Sequence, residues 1–166
     1  MNSKSFTLIE IVITIAVLGC MSWMGVSAML SGIESWSVFA QRKELITDGR
    51  MAMERMLREI RMIKDTTSIL TAGAATFEFV DTNDNDIVFT FSAGAITRAE
   101  NGTTNTLLGN VSSVTFTYYD TNNAAIASPV VSPSATNIRR AEILISMSKG
   151  ESGIVNLKSD VRPRNL

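Results

Sequence analysis

Histidine is absent from this chain of 166 residues, and cysteine occurs once, as Cys20. The first absence removes the commonest general base and the commonest metal ligand among protein side chains. The second excludes an internal disulfide, and the apolar surroundings of Cys20 favour packing as a small hydrophobic side chain over reaction as a nucleophile. Proline is also rare, and none of the three prolines lies between residues 6 and 64. Nothing in that region therefore forces a break in a helix.

Charge of one sign is not in excess either, since 16 acidic residues face 15 basic ones for a formal net charge of −1. A protein that binds nucleic acid through bulk charge carries a basic excess, so no nucleic-acid partner is expected. The sequence contains no glycine-rich phosphate loop, no paired metal ligands and no nucleophile–base arrangement. We therefore expect no enzyme activity, no catalytic or metal-binding residue and no cofactor.

Hydrophobic residues are concentrated in the first third of the chain. Residues 11–33 carry no charge, and a helix needs roughly 20 apolar residues to cross a bilayer. Lys4 and the terminal amine precede this stretch, which is typical of an N-terminus that stays in the cytoplasm. The sequence therefore predicts one membrane-spanning helix.

Three interpretations of this segment compete: an ordinary membrane anchor, a secretory signal peptide cut after a small-x-small site at residues 26–28, or a helix with a second use. The apolar stretch is long for a signal peptide, and Glu10 stands at its start. A charged side chain in a membrane helix costs about 2.5–3.5 kcal/mol at the centre and less near the interface. Because a plain anchor gains nothing from this cost, Glu10 is a candidate functional residue.

The residues around Glu10 form a long, ordered motif. The segment Ser5-Phe6-Thr7-Leu8-Ile9-Glu10 and the apolar residues 11–19 resemble the cleavage and methylation motif of the type IV pilin superfamily. That superfamily includes type IV pilins and the pseudopilins of type II secretion. The resemblance implies that a prepilin peptidase cuts between Ser5 and Phe6 and then N-methylates Phe6. The superfamily usually has glycine before the cut, whereas this chain has Ser5.

The resemblance also implies an assembly role for Glu10. In a filament its carboxylate would face the Phe6 amine of a neighbouring subunit, so that two charges costly alone in an apolar core form a pair. The implied partners are other pilin or pseudopilin subunits, the prepilin peptidase and inner-membrane lipid. The implied location is the bacterial inner membrane, with the N-terminus in the cytoplasm, and then a periplasmic or cell-surface filament.

Residues 51–61 and 161–166 narrow the resemblance to the J-type minor pseudopilins and the PilW-like minor pilins. In that family these subunits sit at the filament tip and help to initiate assembly. The implied function is thus a minor pilin or pseudopilin subunit of a type IV pilus or a type II secretion system. The alternative is a DNA-uptake or adhesion minor pilin whose sheet domain binds a ligand.

Beyond the apolar stretch, the helical pattern continues to residue 64. Met53, Met56, Leu57 and Ile60 follow the i, i+3, i+4, i+7 spacing of one apolar helix face. The other face is charged, and we interpret it as solvated. It comprises Glu54, Arg55, Arg58, Glu59 and Arg61.

From about residue 66 the composition changes to Thr, Ser, Asn, Val and Phe. Alternating polar and apolar residues between Asn-, Asp- and Gly-rich turns predict β-strands joined by hairpins. We predict strands at residues 76–80, 87–91, 95–99, 114–119, 140–148 and 154–161, with a turn at 100–102 and a loop at 128–137. In the strand at 140–148, Ala141, Ile143, Ile145 and Met147 are expected to face one way.

Two clusters of residues in this part are candidate binding sites, one for calcium and one for DNA or a partner protein. Asp81, Asn83 and Asn85 have the spacing that opens a calcium loop, but its glycine and closing acid are missing, so a plain hairpin turn is favoured. The pairs Arg139-Arg140 and Arg162/Arg164 form either a small basic patch for DNA or a partner, or a solvated edge, and the solvated edge is favoured.

The predicted fold class is α+β, with a long N-terminal helix packed on a C-terminal antiparallel β-sheet, as in the pilin fold. The predicted segments are a leader peptide (1–5), the transmembrane or filament-core half of the helix (6–33), its amphipathic half (34–65) and a β-rich globular domain (66–166).

Overall fold

A computed structural model describes residues 7–133, 137–150 and 152–166. Its elements are α1 (Leu8–Ile60), a short 3-10 helix (Thr66–Ser68), β1 (Ile69–Ala72), β2 (Thr76–Val80), β3 (Asp86–Ser92), β4 (Ala95–Glu100), β5 (Thr103–Leu108), β6 (Val111–Tyr119), β7 (Ala125–Ile126), β8 (Arg140–Ser148) and β9 (Ile154–Val161). One long helix packed against antiparallel sheets confirms the α+β prediction.

Helix α1 contributes to two compact units, one that reaches Ala40 and one that begins at Gln41. In the second unit its apolar face is buried as the spacing predicted, with Met56 and Ile60 fully enclosed and Met53 6% exposed. Leu57 is only partly buried against the same core. The hydrophobic side chains of this half therefore form a stripe along one face of the helix.

The helix ends at Ile60 and not at residue 64, where the sequence pattern placed its end. Ile63 pairs with Asp81 in an isolated antiparallel bridge, and the Lys64 amide donates to the Val80 carbonyl at 3.1 Å. These hydrogen bonds extend the chain alongside the end of β2, which is incompatible with a further helical turn.

The strands form two antiparallel sheets where one was predicted, with strand orders β1-β2-β3-β4-β5 and β7-β6-β8-β9. All six predicted strands are present: β6 begins three residues before its predicted start, at Val111, and the others match their predicted bounds to within one residue. In β8 the side chains of Ala141, Ile143, Ile145 and Met147 are buried as expected. The sequence analysis missed β1, β5 and β7. β7 has two residues, and β5 is largely polar and exposed, so neither shows the alternation that marks a half-buried strand.

Tight turns connect β3, β4 and β5 because two pairs of residues adopt positive φ. Ala93 and Gly94 have φ of 50° and 76°, and Asn101 and Gly102 have φ of 49° and 82°. Positive φ at both central residues is required by the two-residue hairpin loop whose twist matches that of the strands. The pairing of Glu100 with Thr103 closes the second turn, so Glu100 belongs to β4.

Aromatic side chains join the two sheets in the core of the second unit. Phe77 of β2 lies 5.9 Å from Phe116 and 5.2 Å from Tyr118 of β6, between ring centroids. The Tyr118 hydroxyl donates to the Gly73 carbonyl at 2.9 Å, and its burial raises the pKa of the phenol. The two sheets therefore share one core.

Candidate assembly segment and charged sites

Glu10 lies in the first turn of α1, and its backbone amide donates to the Thr7 carbonyl at 3.1 Å and to the Thr7 hydroxyl at 3.4 Å. Thr7 thus caps the helix start. Ser5 and Phe6, the predicted processing residues, lie outside the described residues. Glu10 itself is exposed and forms no ion pair within the described part of the chain.

The helix N-terminus offsets only part of the free-energy cost of placing the Glu10 carboxylate in apolar surroundings. The partial positive charge at a helix start stabilises an acidic side chain by about 0.3–1 kcal/mol. That is less than the roughly 2.5–3.5 kcal/mol that a charge costs deep in apolar surroundings. Glu10 therefore still lacks a sufficient counter-charge if its surroundings are apolar.

Large apolar side chains are exposed all around the first part of α1, which we call the apolar segment (residues 8–39). Trp23 is 77% exposed, Trp36 76% and Phe39 70%. In the described residues, α1 is the one helix long and apolar enough to span a membrane. Full burial of a single large apolar side chain is worth about 1.5–3 kcal/mol. The apolar segment therefore requires cover from lipid or from other protein.

The charged face of the second half of α1 is not uniformly solvated, contrary to our interpretation from the sequence. Glu59 accepts two hydrogen bonds from Arg98 Nε of β4, at 2.9 and 2.8 Å, and one from Arg55 at 3.0 Å. The side chains of Glu59 and Arg98 are only 16% and 10% exposed. An ion pair thus links α1 to the five-stranded sheet.

Arg98 also donates to Glu100 at 2.9 Å. Burial alone would lower the pKa of the Arg98 guanidinium, but its hydrogen bonds to Glu59 and Glu100 and their negative charges outweigh burial and raise the pKa. Local sequence patterns could not reveal this cluster, since Glu59 and Arg98 are far apart in the chain and belong to different elements.

The Asp81 segment forms the predicted hairpin turn between β2 and β3. Asp81 Oδ1 accepts hydrogen bonds from the backbone amides of Asn83 and Asn85, at 2.8 and 2.9 Å. Burial would raise the pKa of the Asp81 carboxyl, but these bonds and those from the two asparagine side chains outweigh it and lower the pKa. The turn itself thus uses the Asp81 carboxylate oxygens, which a calcium loop would direct at a metal.

Arg139, Arg140 and Arg162 lie around one pocket of about 270 Å³ in the second unit, which we call the arginine pocket. The remaining lining residues include Asp120, Pro163 and Leu166. Arg164, the fourth basic residue singled out from the sequence, is exposed and does not line the pocket. The fold therefore brings together three of the four arginines of the predicted basic patch.

No protein-family model matches this chain. No curated protein matches its sequence either.

Proposed function

We propose that this chain is a minor pilin or pseudopilin subunit of the type IV pilin superfamily. A prepilin peptidase would cut it between Ser5 and Phe6 and methylate the new N-terminus. The subunit would then pass from the inner membrane into a type IV pilus or a type II secretion pseudopilus, at or near the tip. Its role is structural and not enzymatic. The observation that supports this most strongly is the apolar segment, whose large side chains are exposed on all sides, with one carboxylate, Glu10, in its first turn.

The apolar segment suits two successive environments. Its large side chains point outward on all sides, so lipid can cover them before assembly and neighbouring helices can cover them afterwards. Gly19, Gly25 and Gly32 have no side chain, so a neighbouring helix could approach the backbone of α1 closely at these positions.

Glu10 provides the selectivity that apolar contacts lack. Apolar side chains pack in many registers, whereas a buried carboxylate is stable only where a counter-charge meets it. The Phe6 amine of a neighbouring subunit would supply that charge after cleavage. The pair would then fix the axial position of one subunit relative to the next.

The β-rich part supports a subunit that keeps its own fold throughout. Its hydrophobic core is built from residues between Leu45 and Val161, with none from the apolar segment. Transfer of the apolar segment from lipid to protein would thus leave the composition of this core unchanged.

The proposal is tested by Glu10→Gln, with Glu34→Gln as the matched control at another exposed glutamate of α1. Both variants should fractionate with membranes as the parent chain does. Glu10→Gln should enter filaments at least about tenfold less, because an unpaired buried amine costs several kcal/mol. Quantitative immunoblotting of sheared filaments against membranes measures the ratio. Equal incorporation of the two variants would refute the assembly role of Glu10.

A further inference from the structure

The arginine pocket carries an inference beyond filament assembly. All of its lining residues belong to the unit formed by residues 41–166, and the apolar segment contributes none of them.

Arg140 is fixed in place but its charge is poorly compensated. Its guanidinium carbon lies 3.7 Å from the centroid of the Tyr119 ring, within cation–π range. Its closest carboxylate is that of Asp160, at 4.0 Å, beyond hydrogen-bonding distance. Arg140 Nε is buried and has no hydrogen-bond partner in the described part of the chain. The two Nη groups of such a guanidinium are suited to donate hydrogen bonds to an anion.

Arg139 and Arg162 add two more positive charges to the same pocket, and neither forms an ion pair within the described residues. Against these three arginines stands Asp120, whose Oδ1 accepts two hydrogen bonds at 2.8 Å from the amides of Asn122 and Ala124 in its own turn. The lining is therefore positive overall and can still form hydrogen bonds.

Size and apolar lining restrict the ligand. At about 270 Å³ the pocket fits one or two small side chains and not the backbone of a nucleic-acid strand over several nucleotides. Pro163 is buried, but Leu166 is only partly buried and offers apolar surface beside the guanidinium groups, suited to the methylene groups of a side chain more than to a free inorganic ion. The acidic Asp120 and the net charge of −1 also disfavour a nucleic-acid strand, which is held mainly through many phosphate contacts.

We propose that the arginine pocket is a docking site for an acidic segment of a partner protein, with Arg139, Arg140 and Arg162 binding its carboxylates. Arginine suits this task because its planar fork matches a carboxylate with two parallel hydrogen bonds. The partner class is thus a protein that presents glutamate or aspartate on an exposed strand or loop.

The full chain in non-ionic detergent is titrated against fluorescein-labelled hexaglutamate by fluorescence anisotropy, at about 0.1 M salt, where surface charges still interact over roughly 10 Å. Hexaglutamate should bind and labelled hexaglutamine should not. Arg139→Gln combined with Arg162→Gln should weaken binding at least about tenfold. Arg58→Gln, an exposed arginine of α1 outside the pocket, should leave it unchanged.

Three results would overturn the proposal. The first is no binding of hexaglutamate at millimolar concentration, or equal binding by the double variant. The second is complete displacement of the peptide by equimolar inorganic phosphate, which would indicate a site for a free oxyanion. The third is tighter binding of a dodecameric oligothymidylate with the same dependence on Arg139 and Arg162, which would indicate a nucleic-acid site. An unchanged near-ultraviolet circular dichroism spectrum, to which Tyr118 and Tyr119 contribute, would show that the double variant remains folded.

Discussion

The two halves of helix α1 have the same backbone conformation and opposite burial. In the apolar segment, residues 8–39, large hydrophobic side chains are exposed on every side of the helix. From Leu45 to Ile60, the buried residues form one stripe packed in the core of the second unit. A helix that is hydrophobic all round must be covered from all sides, whereas a striped helix is satisfied by one packed face. The difference shows that one helix carries two patterns of hydrophobic residues, of which only the striped one is packed in a core within the described residues.

The largest expected difference between the two regions is in the cost of truncating an apolar side chain. Phe77→Ala removes a ring that is 1% exposed and contacts the rings of both sheets. It should lower the free energy of unfolding by about 3–5 kcal/mol. Leu18→Ala, in the apolar segment, should leave that value unchanged. Denaturant unfolding in detergent, followed by near-ultraviolet circular dichroism, measures both, and a similar loss in both variants would contradict the comparison.

A smaller effect is expected from the ion pairs of the second half of α1. Glu59→Gln leaves the buried Arg98 guanidinium with Glu100 as its remaining carboxylate partner, and should cost about 1–3 kcal/mol of unfolding free energy. Glu44→Gln removes the partner of Lys149 in a pair whose side chains are 53% and 35% exposed. Exposed pairs contribute below about 1 kcal/mol, so the second variant should be near neutral. Equal losses would mean that Arg98 is not effectively buried.

Glycine substitutions sharpen the same contrast. A Cβ at Gly49 would come within 2.5 Å of Met147 Cε and 2.7 Å of Leu157 Cδ1, whereas one at Gly25 meets nothing within 4 Å. Gly49→Val should therefore destabilise the β-rich unit by about 1–2 kcal/mol through overpacking. Gly25→Val should not, and thermal unfolding of the two variants in parallel checks the difference. A stabilised Gly49→Val would show that the side chains of Met147 and Leu157 can move aside without cost.

The smallest effect is a dependence on pH. Because the folded-state pKa of Asp81 lies below its ordinary value of 3.8, its contribution to stability is present above pH 3.8 and is lost as the pH falls through the folded value. Asp81→Asn should therefore be less stable than the parent chain near neutral pH, by about 0.5–1 kcal/mol. The difference should shrink below about pH 4. A difference that grows on acidification would contradict the lowered pKa.

Local patterns were enough to predict much of this fold. The spacing of Met53, Met56 and Ile60 predicted the buried helix face, and the alternation in β8 predicted which of its residues are buried. The segment Glu100-Asn101-Gly102 predicted a turn, which the structure has at Asn101 and Gly102, with Glu100 in β4. Each of these features depends on residues close together in the chain, where periodicity and turn chemistry act directly.

Long-range features were not accessible in this way. The division into two sheets depends on which strands pair, and the Glu59–Arg98 ion pair joins a helix to a strand across a folded core. The polar strand β5 is held by pairing with β4 and not by burial of alternate residues. At the candidate site, the motif singled out Ser5, Phe6 and Glu10, which remain predictions from the sequence.

We propose that the chain is cut ahead of the apolar segment, and that this segment serves assembly and is not a simple anchor or an export signal. The most direct test is the intact mass of the protein extracted from membranes of cells that carry a prepilin peptidase. Our account predicts loss of residues 1–5 and the gain of one methyl group on Phe6, which would also show that Ser5 is accepted before the cut. Loss of residues 1–28 would identify a signal peptide and contradict the account, and an unprocessed chain would contradict it as well.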